Sequence, residues 1–381
     1  FMTKQTIINA RLVLKDEVIK GAIVIENGHL KQVDRGQSRL AAAEDWNDDY
    51  LMPGLVELHT DNMEKYFTPR PGVIWPKVSA MIGHDRQMIG SGVTTVFDAV
   101  AVGYDIYDSQ RTKILDDVID SIAYLEDNHL SKADHFIHLR CELSSETTAD
   151  MFDLYADNPR LKLVSLMDHA PGQRQFARLD KYIEYYQKKY GHSDEQMAIR
   201  LEKHKASSQC WSAKHRRYIA EICCARTIPM ASHDDATDEH VTEAVNYGVS
   251  IAEFPTTLKA AELSHNNNMK VLMGAPNIIR GHSHSGNVAA RELAEGGYLD
   301  ILSSDYYPSS LLQSAFTLVD LDLGISLATA VRCVTENPAQ AVGLEQRGSI
   351  QVGYKADLLR VGKHSDLPIL KETWKSGERV G

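Results

Sequence analysis

The sequence predicts an α/β chain: a (β/α)8 barrel of eight parallel strands alternating with helices, beside a small β-sandwich domain built from both chain ends. Three observations carry this. Eight short apolar segments recur through the middle of the 381 residues, most of them separated by stretches of helical periodicity. The first fifty residues read as short strands instead. The C-terminal end returns to that same texture, so the two ends are expected to meet in one sheet-rich unit.

The elements follow in order. TIINARLVL (6–14) and VIKGAIVIENGHLKQVD (18–34) are strands, with a hairpin turn at Asn27-Gly28, a pair that tolerates the positive φ of a tight turn. GSIQVGYKADLLRVG (348–362) resumes the pattern. This places the small domain at 1–52 plus 346–381 and the barrel at 53–345. The eight barrel strands are LVELHTD, VTTVFDAV, HFIHLRCEL, LKLVSLMDH, IPMASHDD, SIAEFPTT, KVLMGAPN and DILSSDYY. Between them, Ser109 to Asn128 repeats Ile114, Leu115, Val118, Ile119, Ile122 and Leu125 as one helical stripe. Asp238 to Tyr247 stops before Gly248, and Asn287 to Glu295 stops before Gly296-Gly297. A long charged, Tyr-rich insertion (about 170–228) separates the fourth and fifth strands, with a helix expected over Ser212 to Arg226. Such an excursion is either a lid or wall over the barrel mouth or a solvated helical insertion.

Composition excludes several classes. With 43% hydrophobic and 24% charged residues the chain is of ordinary globular type, and no apolar run approaches the roughly 20 residues of a membrane span. The net charge of −11 argues against a general nucleic-acid binder, though a local cationic cluster can still receive an anionic small molecule. Cys141, Cys210, Cys223, Cys224 and Cys333 have no zinc-finger spacing and read as reduced thiols in a cytoplasm.

Barrel enzymes carry their chemistry at the C-terminal ends of the strands. There the sequence offers His59 and Asp61, which share a strand face, then Glu142, then Asp168 and His169. His233 with Asp234 and Asp235, and finally Asp305, complete the set. A lone His is more often structural than a ligand, but this many groups at strand ends point to a divalent metal. The mixed N and O donors suit Zn²⁺, Mn²⁺ or Fe²⁺ better than Ca²⁺, with zinc favoured. Two ions would use the set economically: His59 and Asp61 on one, His169 and His233 on the other, Glu142 between. Asp305 is then a general base or the holder of a bridging water. Other polar residues read as structural. His138 shares the face of Glu142 one layer deeper and reads as core, and Cys141 packs toward helices. Asp235 reads as a helix N-terminal signal, and His29, His129, His192 and His204 as surface.

The opening strands, the MPGLVELHTD strand and the close NPAQAVGLEQRGSIQVGYKADLLRV resemble the amidohydrolase superfamily, whose members wrap a small β-sandwich around a metal-bearing barrel. ELHTDNMEKYFTPRPGVIWP, RCEL, SLMDHAPGQRQ, SHDDAT, APNIIRGHSHSGN and LSSDYYPSSLL resemble, more narrowly, the PhnM family, and HTD in place of the superfamily's usual HxH agrees with it. The superfamily's bridging lysine has no counterpart, so the bridging role of Glu142 rests on motif position. The resemblance spans essentially the whole chain. It implies hydrolysis of α-D-ribose 1-methylphosphonate 5-triphosphate to the 5-phosphate and pyrophosphate, with water attacking the α-phosphorus.

The loops fit an anionic substrate. GHSHSGN (281–287) follows the seventh strand and is expected to open a helix, a setting for phosphate. Arg280, His282 and His284 beside it, Lys65 and Arg70 after the first strand, and Arg174 after the fourth would form a clamp, with Asn62 touching substrate or a metal water. A homodimer is expected. Two other readings stay open: a C–N hydrolase of the same superfamily, such as a cyclic amidase or deaminase, and a non-catalytic barrel scaffold.

Overall fold

The computed structural model describes residues 4–103, 114–170, 174, 183, 187, 193–283 and 286–381. Five strands open the chain: β1 (Lys4–Val13), β2 (Val18–Glu26), β3 (His29–Arg35), β4 (Glu44–Asp45) and β5 (Tyr50–Pro53). Eight more form the centre: β6 (Leu55–Thr60), β7 (Val93–Val102), β8 (Asp134–Glu142), β9 (Leu161–Met167), β10 (Met230–His233), β11 (Ile251–Glu253), β12 (Lys270–Gly274) and β13 (Ile301–Ser303). Three close the chain: β14 (Leu358–His364), β15 (Leu367–Lys375) and β16 (Glu378–Arg379).

Strands β6 to β13 are hydrogen-bonded side by side in chain order, every pair parallel. They correspond one for one to the eight predicted segments. Each reads as an unbroken apolar run because both of its faces are covered, as β6 shows by being buried at all six positions. The inside is filled by Val56, Leu58, Phe97, Leu163, Ala231, Ile251, Leu272 and Ile301. The seam between first and last strand closes through a parallel bridge of Thr60 with Asp305.

Strands from the two chain ends form the second sheet, in the order β16-β15-β14-β5-β1-β2-β3, with β4 also on β1. The hairpin between β2 and β3 turns at Asn27 and Gly28, φ 50° and 78°, as a type I′ turn requires. Strand β5 joins the ends: it lies parallel to β1 and antiparallel to β14, Pro53 opposite Leu358. Beneath the sheet, Trp46 and Trp374 meet with ring centroids 6.2 Å apart over Ile7, Leu12, Ile23 and Leu51.

Helices differ from expectation mainly at their starts. The stripe of 109–128 forms the helix Leu115–Asp127, its apolar residues buried, while 109–113 lie outside the described residues. Helix Asp238–Asn246 ends as predicted, but it is capped by Thr237, whose hydroxyl accepts from His240 N. Asp235 is therefore not the cap; it is buried and ion-paired with Arg174. The helix expected from Asn287 begins only at Ala290 and has six residues. Within the insertion, the helix spans Asp194–Arg226, eighteen residues longer at its start than predicted. It opens on a capping box of Ser193 and Gln196, a signal present in the sequence. This helix is docked on the strand ends: Ser207 Oγ donates to Ser144 O (2.5 Å), Ser208 Oγ to Asp168 Oδ2 (3.1 Å) and His215 Nδ1 to Leu143 O (3.0 Å).

Candidate active site

Three barrel strands end on a non-glycine residue in the left-handed region: Asp234 after β10, Phe254 after β11 and Asp305 after β13, φ 58°, 53° and 57°. Such a conformation costs on the order of 1 kcal/mol and persists where neighbours enforce it. Here main-chain bonds to the next strand do so. Asp234 N donates to Glu253 O (2.9 Å), Phe254 N to Leu272 O (2.9 Å) and Asp305 N to His59 O (3.1 Å). Asp305 O in turn accepts from Asp61 N (3.0 Å), so its backbone is tied between the two first-strand candidates.

Glu57 completes that seam. Fully buried, it accepts from His59 N (2.7 Å) and Ser304 N (2.6 Å), and from the Ser303 hydroxyl. One carboxylate thus fixes the backbone next to His59 and next to Asp305. Burial, the largest influence on it, pushes its pKa up to about 7 against the pull of these donors.

His169 and His233 come together, ring centroids 5.5 Å apart. His169 donates its Nδ1–H to Glu142 (2.7 Å), and Glu142 also accepts from His169 N (3.2 Å) and Ser144 Oγ (2.7 Å). His233 donates its Nδ1–H to Asp234 Oδ2 (2.8 Å), which lies 3.6 Å from His169 Nε2. Burial disfavours charge on His169, but Glu142 and Asp234 outweigh it and lift its pKa to about 10. Donor atoms of His169, His233 and Asp234 all lie within 4.8 Å of one another.

His59 is buried beside this group, 5.8 Å from His233 between ring centroids, with its Nε2 4.0 Å from Asp61 Oδ1. Its Nδ1 donates to Glu253 Oε1 (3.2 Å), and Asp61 Oδ1 also receives Arg140 Nη1 at 2.7 Å. Below lies His138, within 2.8 Å of Leu58 O and 2.5 Å of Ser165 Oγ; burial pushes its pKa down to about 3, so it stays neutral. His138 is core, as the strand alternation implied, but it belongs to a polar core with His59 and Glu253. Asp234 was among the strand-end candidates, whereas Glu253, Glu57 and Arg140, which line this candidate site, were not singled out from the sequence. A single Glu inside the apolar segment SIAEF was the available signal for Glu253.

A second polar core runs up one side of the barrel. Asp85 Oδ1 accepts from His135 Nε2 (3.2 Å), His135 Nδ1 donates to Asp98 Oδ2 (2.7 Å), and Asp98 Oδ1 accepts from His84 Nε2 (2.7 Å). His84 Nδ1 is thereby left as an acceptor for Asn62 Nδ2 (3.1 Å), whose other proton goes to Gln87 Oε1 (2.8 Å). Asn62 is oriented by this chain, and its buried Oδ1 has no partner among the described residues.

The residues expected to clamp phosphate have differing surroundings. Arg174 is buried and committed to Asp235 and Glu243, so its charge is already matched within the protein. Lys65 is exposed and donates to Tyr306 O, which puts it at the rim between the first and eighth strands. Arg70 and Arg280 are exposed, and His282 is exposed with its Nδ1 on Arg280 O (2.9 Å). His284 lies outside the described residues. GHSHSGN does not open a helix: Gly281, φ 76°, is the left-handed cap ending the helix Ala275–Arg280.

The clustered donors of His169, His233 and Asp234 fit a divalent ion. His233 Nε2 is buried and unpartnered among the described residues, although its Nδ1–H is fixed by Asp234. A neutral imidazole held by a carboxylate on one nitrogen and open on the other is the usual form of a metal-binding His.

Residues 86–380 match the Amidohydrolase family. The chain is 50% identical over 374 residues to the alpha-D-ribose 1-methylphosphonate 5-triphosphate diphosphatase of Escherichia coli (strain K12), covering 98% of this chain and 99% of that one. Among solved structures, it resembles the N-acetylglucosamine-6-phosphate deacetylase from Pasteurella multocida (TM-score 0.64, 13% identity, 99% and 100% of the two chains). It also resembles the 5-methylcytosine deaminase from Klebsiella pneumoniae (TM-score 0.64, 15% identity, 99% and 98%), and these two likenesses bear on the fold alone. By the family match and by half-identity along its whole length, the chain belongs to the amidohydrolase family and, within it, to the PhnM family.

Proposed function

We propose that this protein hydrolyses α-D-ribose 1-methylphosphonate 5-triphosphate to the 5-phosphate and pyrophosphate. The observation that carries the proposal is the 50% identity over 98% of the chain to a diphosphatase of that name. The barrel of 53–345 would hold the chemistry, flanked by the sheet of 1–52 and 346–381.

The residues divide the task as follows. His169, His233 and Glu142 would hold one divalent ion, His59 and Asp61 a second, with zinc favoured over manganese or iron. Bound ions supply charge neutralisation for the phosphates and lower the pKa of water towards about 7. Asp234 and Glu253 keep the Nδ1–H of His233 and His59 engaged, so that each ring presents Nε2. Asp305, half-buried and tied to both His59 and Asp61, takes the proton of the attacking water. Lys65, Arg70, Arg280, His282 and His284 would meet the outer phosphates, and Asn62 would offer its open Oδ1 to water or substrate. The partner is a small molecule, not nucleic acid; among the described residues no helix is long and apolar enough to cross a membrane. A cytoplasmic homodimer completes the reading.

The test is pyrophosphate release from the ribose triphosphate, or from a nucleoside triphosphate as stand-in, with metal added and chelated, beside Asp305→Asn. Metal-dependent release that the variant lacks is the expected result. Metal-loaded protein without phosphate chemistry would shift the assignment to a C–N hydrolase.

A further inference from the structure

We infer that Arg140 is a catalytic residue of this site, donating to a non-bridging oxygen of the phosphoryl group that water attacks. The inference rests on the diphosphatase reading above. Arg140 lies on β8, one strand from the Asp98-bearing β7, and its guanidinium is almost wholly buried against Asp61, Nη1 to Oδ1 2.7 Å. It therefore sits at the candidate centre, not at the rim.

The other cations do not fill that place. Arg174 is ion-paired with Asp235 and Glu243, Lys65 holds Tyr306 O at the rim, and Arg70, Arg280 and His282 are exposed. Attack on phosphorus places extra negative charge on the equatorial oxygens, where a fixed, water-excluded guanidinium stabilises it most. The arrangement also gives a reason for Asp61 where a second His would be usual. A guanidinium this buried would be costly without a counter-charge, and a carboxylate at 61 supplies one.

The bookkeeping of the step is simple. The water oxygen bonds to the α-phosphorus as the bond from that phosphorus to the bridging oxygen breaks. Pyrophosphate leaves with the electron pair, and the water's proton passes to Asp305. Arg140 donates hydrogen bonds throughout and transfers no proton.

Arg140→Ala and Arg140→Lys, with bound metal, separate this role from a structural one. Three quantities are measured: pyrophosphate release, metal content by elemental analysis, and affinity for an α,β-methylene nucleoside triphosphate. For Arg140→Ala the expected result is a kcat about 10²- to 10³-fold lower, metal content unchanged, analogue affinity changed only slightly, and partial rescue by free guanidinium. Arg140→Lys keeps the charge beside Asp61 and should still lose about 10-fold, because one ammonium cannot serve two oxygens as a planar fork does. Loss of metal in step with kcat, or failure of guanidinium to rescue, would show that Arg140 acts only by placing Asp61 and would overturn the inference. Unchanged kcat would overturn it as well. If the unaltered protein releases no pyrophosphate, the diphosphatase reading itself fails; if it does and Arg140→Ala matches it, only this assignment fails.

Discussion

His135 offers a direct test of how the barrel tolerates buried charge. Its ring lies between Asp98 and Asp85, and the pair of carboxylates overcomes the burial that would discharge it, raising its pKa to about 10. The rise from 6.5 is worth at most about 5 kcal/mol at 1.36 kcal/mol per unit. Breaking a buried ion pair by removing one partner costs about 3–5 kcal/mol, so the two estimates agree. His135→Gln should therefore destabilise the protein by about 4 kcal/mol at pH 6. For 381 residues, an unfolding entropy of about 2.1 cal/mol/K per residue converts this to a fall of about 5 °C in Tm. The pH dependence has a fixed sign. A histidine whose pKa is raised by folding contributes fully below pH 6.5, and the contribution is lost as pH climbs through about 10. The gap between the two proteins, read by thermal scans at one heating rate, should narrow steadily from pH 6 to pH 10. A gap below about 1 °C at pH 6, or one that stays constant across that range, would refute the reasoning.

Two further outcomes follow from single contacts. Glu253→Gln weakens the hold on His59 Nδ1–H (3.2 Å) and should lower metal affinity about 10- to 100-fold in a competitive chelator titration; unchanged affinity would place His59 outside the metal set. Gly348→Ala puts a Cβ 2.6 Å from the Thr335 backbone at φ +73°, so both strain and displacement oppose it. A loss of about 3 kcal/mol, seen as a Tm about 4 °C lower, is expected, and a neutral result would contradict the packing described.

Much of this fold was legible because the barrel strands are covered on both faces, which leaves continuous apolar runs that need no register to recognise. Strand ends were legible for the same reason, and with them His59, Asp61, His169, His233 and Asp305. Glu57 and Glu253 were harder. A buried carboxylate acts through the neighbour it meets, and those neighbours, Ser304 and His59, lie 247 and 194 residues away in the chain. Arg174 shows the opposite failure. Its place in the loop after the fourth strand suggested one arm of a phosphate clamp, and only the fold reveals that Asp235, 61 residues on, has claimed it. The start of the helix Asp194–Arg226 was missed because its exposed, highly charged first turns carry little apolar periodicity, while the Ser193–Gln196 signature lay outside the periodic part.

The pairing of β5 with β14 has a consequence for biosynthesis. Pro53 leaves the ribosome 305 residues before its partner Leu358. At about 5–20 residues per second, that strand waits on the order of 15–60 s with one edge open. Contacts of such sequence separation also slow the final closure, since a long loop must be ordered before the pairing returns any energy. Chains halted before residue 358 should therefore present an unsatisfied strand edge to one another, and chaperone capture during that interval is the natural safeguard.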